Sequence, residues 1–512
     1  MATTNSTSTY SYLSSVSNRF SGLASGMDID SLVEKLMKAE SAKMEKLQQQ
    51  KQKYEWQREA YRSVNTKLEA FRTDAFDKYG KTSDFVINSV SNSNESKISA
   101  VATASATGSL TISNATKAKA ASVISTAPQR SKDTSVSTLM GVDAPSSDKT
   151  ITLQVIQQDG QYKDVDIKYN SSDTLQTIAK KINDSKAGVT ALVGENGEFS
   201  LTAKATGKYD ANGTDIGGAI RLKTGSETDK LFEKIGFGTG QVLANNGNDA
   251  EITVNGTVQK SKTNSFTIAG YNLTVKENTT SETTISSSLD TNAIVDKVKS
   301  FIELYNGLIT DLKDQTSQKK NYSYSPLTDA QKSEMTEDQI KKWEEQAKKG
   351  LLRGDQSIEG ALNKMRSAIS GASIDLGENK FLNIFTLGIK TNKDGTLVLD
   401  NETKLREEIE RSPENVASLF TSTTPNAKGY AGIISGVRTA AKSAIDTIFT
   451  KAGKEGSVDN TYGLGKNLTA VDKQIDAWKE KLKDIEDRYY KQFSAMETAI
   501  QNANTQSSIF MS

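Results

Sequence analysis

Leu468-Thr469-Ala470-Val471-Asp472-Lys473-Gln474-Ile475-Asp476-Ala477-Trp478-Lys479-Glu480-Lys481-Leu482-Lys483-Asp484-Ile485-Glu486-Asp487-Arg488-Tyr489 is the stretch on which the fold turns. Its apolar members, Leu468, Val471, Ile475, Trp478, Leu482, Ile485 and Tyr489, advance in steps of three and four, the period of one helix seam. After a break near Gln492 and Phe493, Met496, Ile500 and Ala503 resume the phase. Far upstream, Leu47, Tyr54, Tyr61, Val64, Leu68, Phe71 and Ala75 keep the same spacing. A lone helix cannot bury such a seam, so both ends are predicted to be coiled-coil helices in need of a partner. Two schemes satisfy them: the ends close on each other within one chain, or they pack in a bundle with other molecules. At about 25 cal/mol per Å² of apolar surface, a bundle gains more than a lone pair. Asp484 with Arg488 and Asp487 with Lys491 add helix-spaced ion pairs worth only about 0.2 to 0.5 kcal/mol each.

Composition narrows the chemistry. The 512 residues exceed one core, and roughly three to four domains are expected. There is no cysteine and no histidine, which removes thiol nucleophiles, disulfides, the common zinc ligands and the side chain that titrates near neutrality. Absence of cysteine suits a protein that works outside a reducing cell. Acids and bases balance to a net charge of +1 with no basic face, so nucleic acid has no electrostatic reason to bind. No apolar run approaches the roughly 20 residues of a membrane span. The first twenty residues, rich in Ser, Thr and Asn, lack the pattern of a cleaved secretory signal, and export is expected by another route.

Along the chain, Ser25-Gly26-Met27-Asp28-Ile29-Asp30-Ser31 reads as a turn into a helix, with Ser31 and Glu34 at capping-box spacing and a stop at Gly80. Strand texture follows. Ile151–Val155 pairs with Val165–Tyr169 across Asp159-Gly160, and Asn196-Gly197 and Asn255-Gly256 signal further hairpins. A helix runs from Leu175 through Ile182. From Asp290 the pattern is helical again: Ile294, Val298, Phe301, Tyr305, Leu308 and Leu312, then Ile358, Leu362, Met365 and Ile369. Residues 317–349 read as a lysine-rich loop with a short helix, and residues 427–450 as a variable stretch. Helical material early and late with strands between implies nesting. The expected fold is α+β and multidomain, with nested discontinuous domains: terminal coiled-coil helices, a central helical bundle domain and inserted β-rich domains. The boundaries are 1–40 with 468–512 for the terminal domain, 41–84 with 290–467 for a helical leg, 85–130 with 245–289 for a β-rich head, and 131–244 for a second α+β head. Seams that need partners predict disorder of roughly the first and last 40 residues in the isolated chain.

Other motifs have bland readings. Asp394-Gly395 with Asp400 has too few acids for a calcium loop and reads as a turn between strands. Lys341-Lys342-Trp343-Glu344-Glu345 is a solvated helix face, and Tyr322 and Tyr324 belong to an exposed loop. Gly236-Phe237-Gly238-Thr239-Gly240 neither follows a strand nor opens a helix, so it is no phosphate loop. Carboxylates are abundant, but no pair sits in an aromatic-rich cleft. The chain reads as a non-enzyme without metal or cofactor.

These segments resemble the flagellar filament cap family, hook-associated protein 2. The resemblance is carried by Gly22-Leu23-Ala24-Ser25-Gly26-Met27-Asp28-Ile29-Asp30-Ser31-Leu32-Val33, by Leu352-Arg353-Gly354-Asp355, and by Gly388-Ile389 with Asp394-Gly395-Thr396-Leu397-Val398-Leu399-Asp400. Pro413, Val416, Leu419 and Phe420 follow, and the ending Tyr489-Tyr490-Lys491-Gln492-Phe493-Ser494-Ala495-Met496-Glu497 completes it. Asp173-Thr174-Leu175, Ile182-Asn183, Gly188-Val189 and Ala250 to Gly256 are looser matches. The resemblance implies a secreted, extracellular protein at the tip of the flagellum. It implies a ring-like homo-oligomer, a pentamer, that retains exported flagellin and promotes its folding and insertion. Implied partners are flagellin, the hook-filament junction protein during assembly, and a cytoplasmic export chaperone on the C-terminal helix. Partner contacts are expected at Leu32, Leu36, Leu468, Val471, Ile475, Trp478, Leu482, Ile485, Tyr489, Phe493, Met496 and Ile500. A hook-filament junction protein and a surface adhesin acting through its head domains are the competing readings.

Overall fold

The computed structural model describes residues 27–126, 130–211, 214–215, 218–223, 228–240 and 242–510. They form two compact units: the described residues up to Phe85 and from Thr291 in one, and Val86–Asp290 in the other.

The first unit is helical. Its N-terminal helix is one piece, Ile29–Tyr79, and no helix end falls at residues 40–41. Asp28 caps it, its Oδ1 accepting from the Ser31 N–H at 3.0 Å. The cap is therefore Asp28 rather than the expected Ser31 and Glu34 box, because the helix begins three residues earlier. The C-terminal helix, Gly463–Phe510, packs along the first half of the N-terminal helix. Helices Ile433–Ala452 and Thr291–Ser317 also pack on the N-terminal helix, meeting its second half through Asn65 and Lys67. Residues 29–40 and 473–510 thus stand as helix where disorder was expected, and as far as Phe493 each seam supplies the apolar cover that the other lacks. Residues 1–26 lie outside the described residues.

Ile433–Ala452 overturns the variable stretch expected at residues 427–450. It buries Ile434, Val437, Ala441, Ala444 and Ile448 in steps of three and four, with Ile433 and Ile445 beside them. Alanines thin the stripe and hid it. Elsewhere in the unit, Phe85 stacks on Phe420 with ring centroids 4.5 Å apart, and Phe301 meets Phe420 edge-on at 5.9 Å. Pro413 starts the helix that carries Phe420. The lysine-rich excursion holds two short helices, Asp329–Ser333 and Glu337–Ala347, each with a Thr and Gln capping box. It is tied down: Trp343 Nε1 donates to the Ser325 carbonyl at 2.8 Å, and Gln49 Nε2 donates to the Pro326 carbonyl at 2.8 Å.

The second unit is built from antiparallel sheets over two cores. One core lies under the five-stranded sheet, ordered Asn88–Asn92, Thr283–Leu289, Ser109–Thr116, Ala250–Val254, Thr257–Ser261, with a three-stranded sheet of Ser265–Ile268, Tyr271–Val275 and Ile98–Ala102. The other lies among the four-stranded sheet containing Lys149–Ile156 and Tyr162–Tyr169, the three-stranded sheet containing Val189–Val193 and Phe199–Thr206, and the helix Leu175–Asp184. The three expected hairpins form. Asn255 and Gly256 have φ of 49° and 81°, the left-handed pair that a tight hairpin turn requires.

Candidate assembly interface along the terminal helices

The candidate site grows from the two seams. On the N-terminal helix Ile29, Val33, Met37 and Met44 are buried; on the C-terminal helix Val471, Ile475, Leu482 and Ile485 are buried against them. Leu47, Tyr54, Trp478, Tyr489, Tyr490 and Phe493 pack on the flanks. The pairing is antiparallel. Tyr490 Oη donates to Asp30 Oδ1 at 3.0 Å, Lys43 Nζ lies 4.9 Å from the Trp478 ring, and Lys51 Nζ meets Asp472 Oδ1 at 2.7 Å. Tyr489 Oη donates to Glu40 Oε1 at 3.1 Å. The Asp472 hydrogen bond raises the Lys51 pKa above its usual value despite partial burial.

Of the residues expected to meet partners, Leu468, Val471, Ile475, Leu482 and Ile485 are buried, and Trp478, Tyr489 and Phe493 are half-buried. Leu32 is half-buried, and Leu36 is 38% exposed. The N-terminal half of the internal seam runs instead through Ile29, Val33, Met37 and Met44, with buried Ser41 between. Steps of four from Ile29 were available as a signal, but Ser41 interrupts the apolar run. The Leu32 and Leu36 pair obeys the same period one residue away. Met496 and Ile500 are half-buried and stand outside the buried cluster.

Further along, the N-terminal helix is tied to two other helices of the unit through one carboxylate. Asp355 caps the helix Gln356–Gly371, its Oδ1 accepting from Ser357 N and Ile358 N at 3.0 Å each. Its Oδ2 accepts from Tyr61 Oη at 2.6 Å and Lys451 Nζ at 2.8 Å. Burial pushes the Asp355 pKa up, but the bonds from Lys451, Tyr61 and the Ile358 N–H outweigh it and hold the carboxyl below the usual aspartate value. Burial first, then the bond to Asp355, pushes the Tyr61 phenol up. At Asp394 the carboxylate accepts from Thr396 N at 2.9 Å and Thr396 Oγ1 at 2.6 Å, which is turn chemistry. Among the described residues no group of three or more acidic side chains could hold a metal ion, and no helix is long and apolar enough to cross a membrane.

Long paired terminal helices run through the helical unit, and a unit of antiparallel sheets is inserted in the chain between them. The pattern of the flagellar hook-associated protein 2 N-terminus matches residues 25–121, and that of its C-terminus matches residues 247–505. The flagellin hook IN motif matches residues 150–205. The chain belongs to the flagellar hook-associated protein 2 family. The flagellar hook-associated protein 2 of Halalkalibacterium halodurans is 26% identical over 533 residues, 95% of this chain and 98% of that one. The Escherichia coli K12 protein of the same name is 23% identical over 495 residues, 95% and 96% of the two chains. The crystal structure of the D1-D2-D3 domains of the flagellar cap protein FliD from Escherichia coli covers 76% of this chain and 99% of its own, with a TM-score of 0.53 at 22% identity. That likeness supports the α+β multidomain fold.

Proposed function

We propose that this chain is the distal cap of the bacterial flagellar filament, an oligomeric plate that retains exported flagellin and promotes its folding and insertion at the growing tip. Family membership and the likeness in fold to a flagellar cap protein support the reading. One structural observation carries its mechanism. Among the described residues the C-terminal seam extends past the buried cluster, which reaches Ile29 at one end, while Met496 and Ile500 continue the stripe half-buried. A stripe of that kind gains most from burial against another molecule.

In this reading the helical unit is the leg and the sheet unit the lid. The lid divides further into residues 85–130 with 245–289 and residues 131–244, and the terminal helices make a third layer of 1–40 with 468–512 beside a leg of 41–84 with 290–467. Partner contacts fall on Leu36, Phe493, Met496 and Ile500, with the internally paired residues holding the helix in register. Before assembly the C-terminal helix is held by a cytoplasmic chaperone. Export delivers the chain outside the cell, the junction protein supplies the first platform, and a closed ring, a pentamer by resemblance, completes the plate. The work is steric, without catalysis, metal or cofactor. Deleting residues 468–512 tests the reading: unpolymerised flagellin should accumulate in the medium of the mutant strain, and full-length filaments on that strain would overturn it.

A further inference from the structure

The helical unit carries a groove between its N-terminal helix and the helix Ile433–Ala452, with a volume of about 1060 Å³. Ile445 and Phe449 contribute apolar surface to it. Charges of both signs line it, and two pairs neutralise one another: Arg72 with Glu69 at 2.6 Å, and Lys442 with Asp446 at 2.7 Å. Asn65, which also lines it, is 6% exposed; its Nδ2 donates to the Ile445 carbonyl at 3.4 Å, and its Oδ1 accepts no hydrogen bond. Such a groove suits a neutral amphipathic helix that brings a side-chain amide donor.

We propose that the occupant is the distal C-terminal helix, residues 493–503, of a second copy of this chain. That segment continues an interface already built, since Phe493 packs on the seam cluster and Met496, Ile500 and Ala503 extend its stripe. Its charge matches the groove: from Gln492 to Phe510 the only charged side chain is Glu497. Gln501 and Asn502, both exposed, offer the amide donors. The occupant cannot be the chain's own tail. Tyr490 is bonded to Asp30, and the helix runs on past that end. The groove begins at Glu59, roughly 45 Å up the N-terminal helix in the opposite direction at about 1.5 Å per residue. A tail that fills a different surface on the next copy makes a head-to-tail contact, which generates a ring when its rotation closes. The proposal rests on the cap reading and names the contact that joins neighbouring legs.

The natural chain has no cysteine, so single substitutions report cleanly. Full-length chains carrying Ala70→Cys are mixed with full-length chains carrying Ile500→Cys and treated with a short bis-maleimide. Val142→Cys, at a fully exposed position of the other unit, replaces Ala70→Cys in the control. Cross-linked pairs should exceed the control by at least about tenfold, the mark of a raised effective concentration. A second sample lacking residues 494–512 should lose the oligomer seen by sedimentation. Equal yields in the two mixtures overturn the proposal. So does linkage confined to one chain bearing both cysteines, which would make the chain's own tail the occupant. Closed plates in negative-stain images without the Ala70 to Ile500 link would remove this contact and leave the cap reading standing; absence of both plates and link would count against both.

Discussion

One carboxylate joins three helices in the leg. Asp355 caps Gln356–Gly371 while holding Tyr61 of the N-terminal helix and Lys451 of Ile433–Ala452. Removing it uncaps one helix and strands a part-buried ammonium. Asp355→Ala should therefore cost about 3 kcal/mol in a urea melt of the full chain. Because its folded-state pKa lies below the unfolded value, the stability it gives is complete above the ordinary aspartate range and is lost as pH falls through the folded value. Asp355→Asn should flatten the acid limb of the melting profile, and an unchanged limb would show that the carboxylate is not the group titrating. Leu352-Arg353-Gly354-Asp355 was visible as a motif, but partners 294 and 96 residues away were not. Gly388 is a second motif residue that the structure explains. Its φ is +75°, and a Cβ there would lie 2.3 Å from the Asn401 carbonyl oxygen.

At the scale of elements, helices and hairpins with a full apolar stripe or an Asn-Gly turn could be read directly. Ile433–Ala452 could not, since four of its buried positions are alanines, which favour a helix but mark its core face only weakly. The terminal helices show the converse limit. Their period was clear, but the choice between the Leu32 and Leu36 stripe and the Ile29, Val33 and Met37 stripe needed the partner helix in place. This yields a paired measurement. Leu482→Ala, at a fully buried seam position, should cost about 2–5 kcal/mol in chemical denaturation. Leu36→Ala should stay within about 0.5 kcal/mol, because Leu36 is substantially exposed in the single chain. Equal costs would mean that the seam faces the other way.

For the molecule as a whole, the chain enters the head unit at Val86 and leaves it at Asp290, and each unit has its own buried core. The strand Asn88–Asn92 pairs with Thr283–Leu289, closing the insert at its own root, with Asn88 opposite Leu289. A segment closed in this way, with its own core, is expected to fold by itself. Residues 86–290 expressed alone should melt cooperatively with the strand content they have in the full chain, read by circular dichroism. A flat melt would show that the head depends on the leg for its folding.

The chain's sequence by itself determined the α+β class, the helical ends, the strand-rich middle and the hairpin turns. These are set by periods of two and of three to four residues and by turn residues that only a few backbone conformations admit. It also marked the family through short motifs in order. Tertiary structure alone decided which apolar stripe faces inward, that the two terminal seams cover each other, and that Asp355 gathers Tyr61 and Lys451. Those are distance relations between residues tens to hundreds of positions apart. A local pattern shows that a surface must be buried, but only the packed chain shows against what.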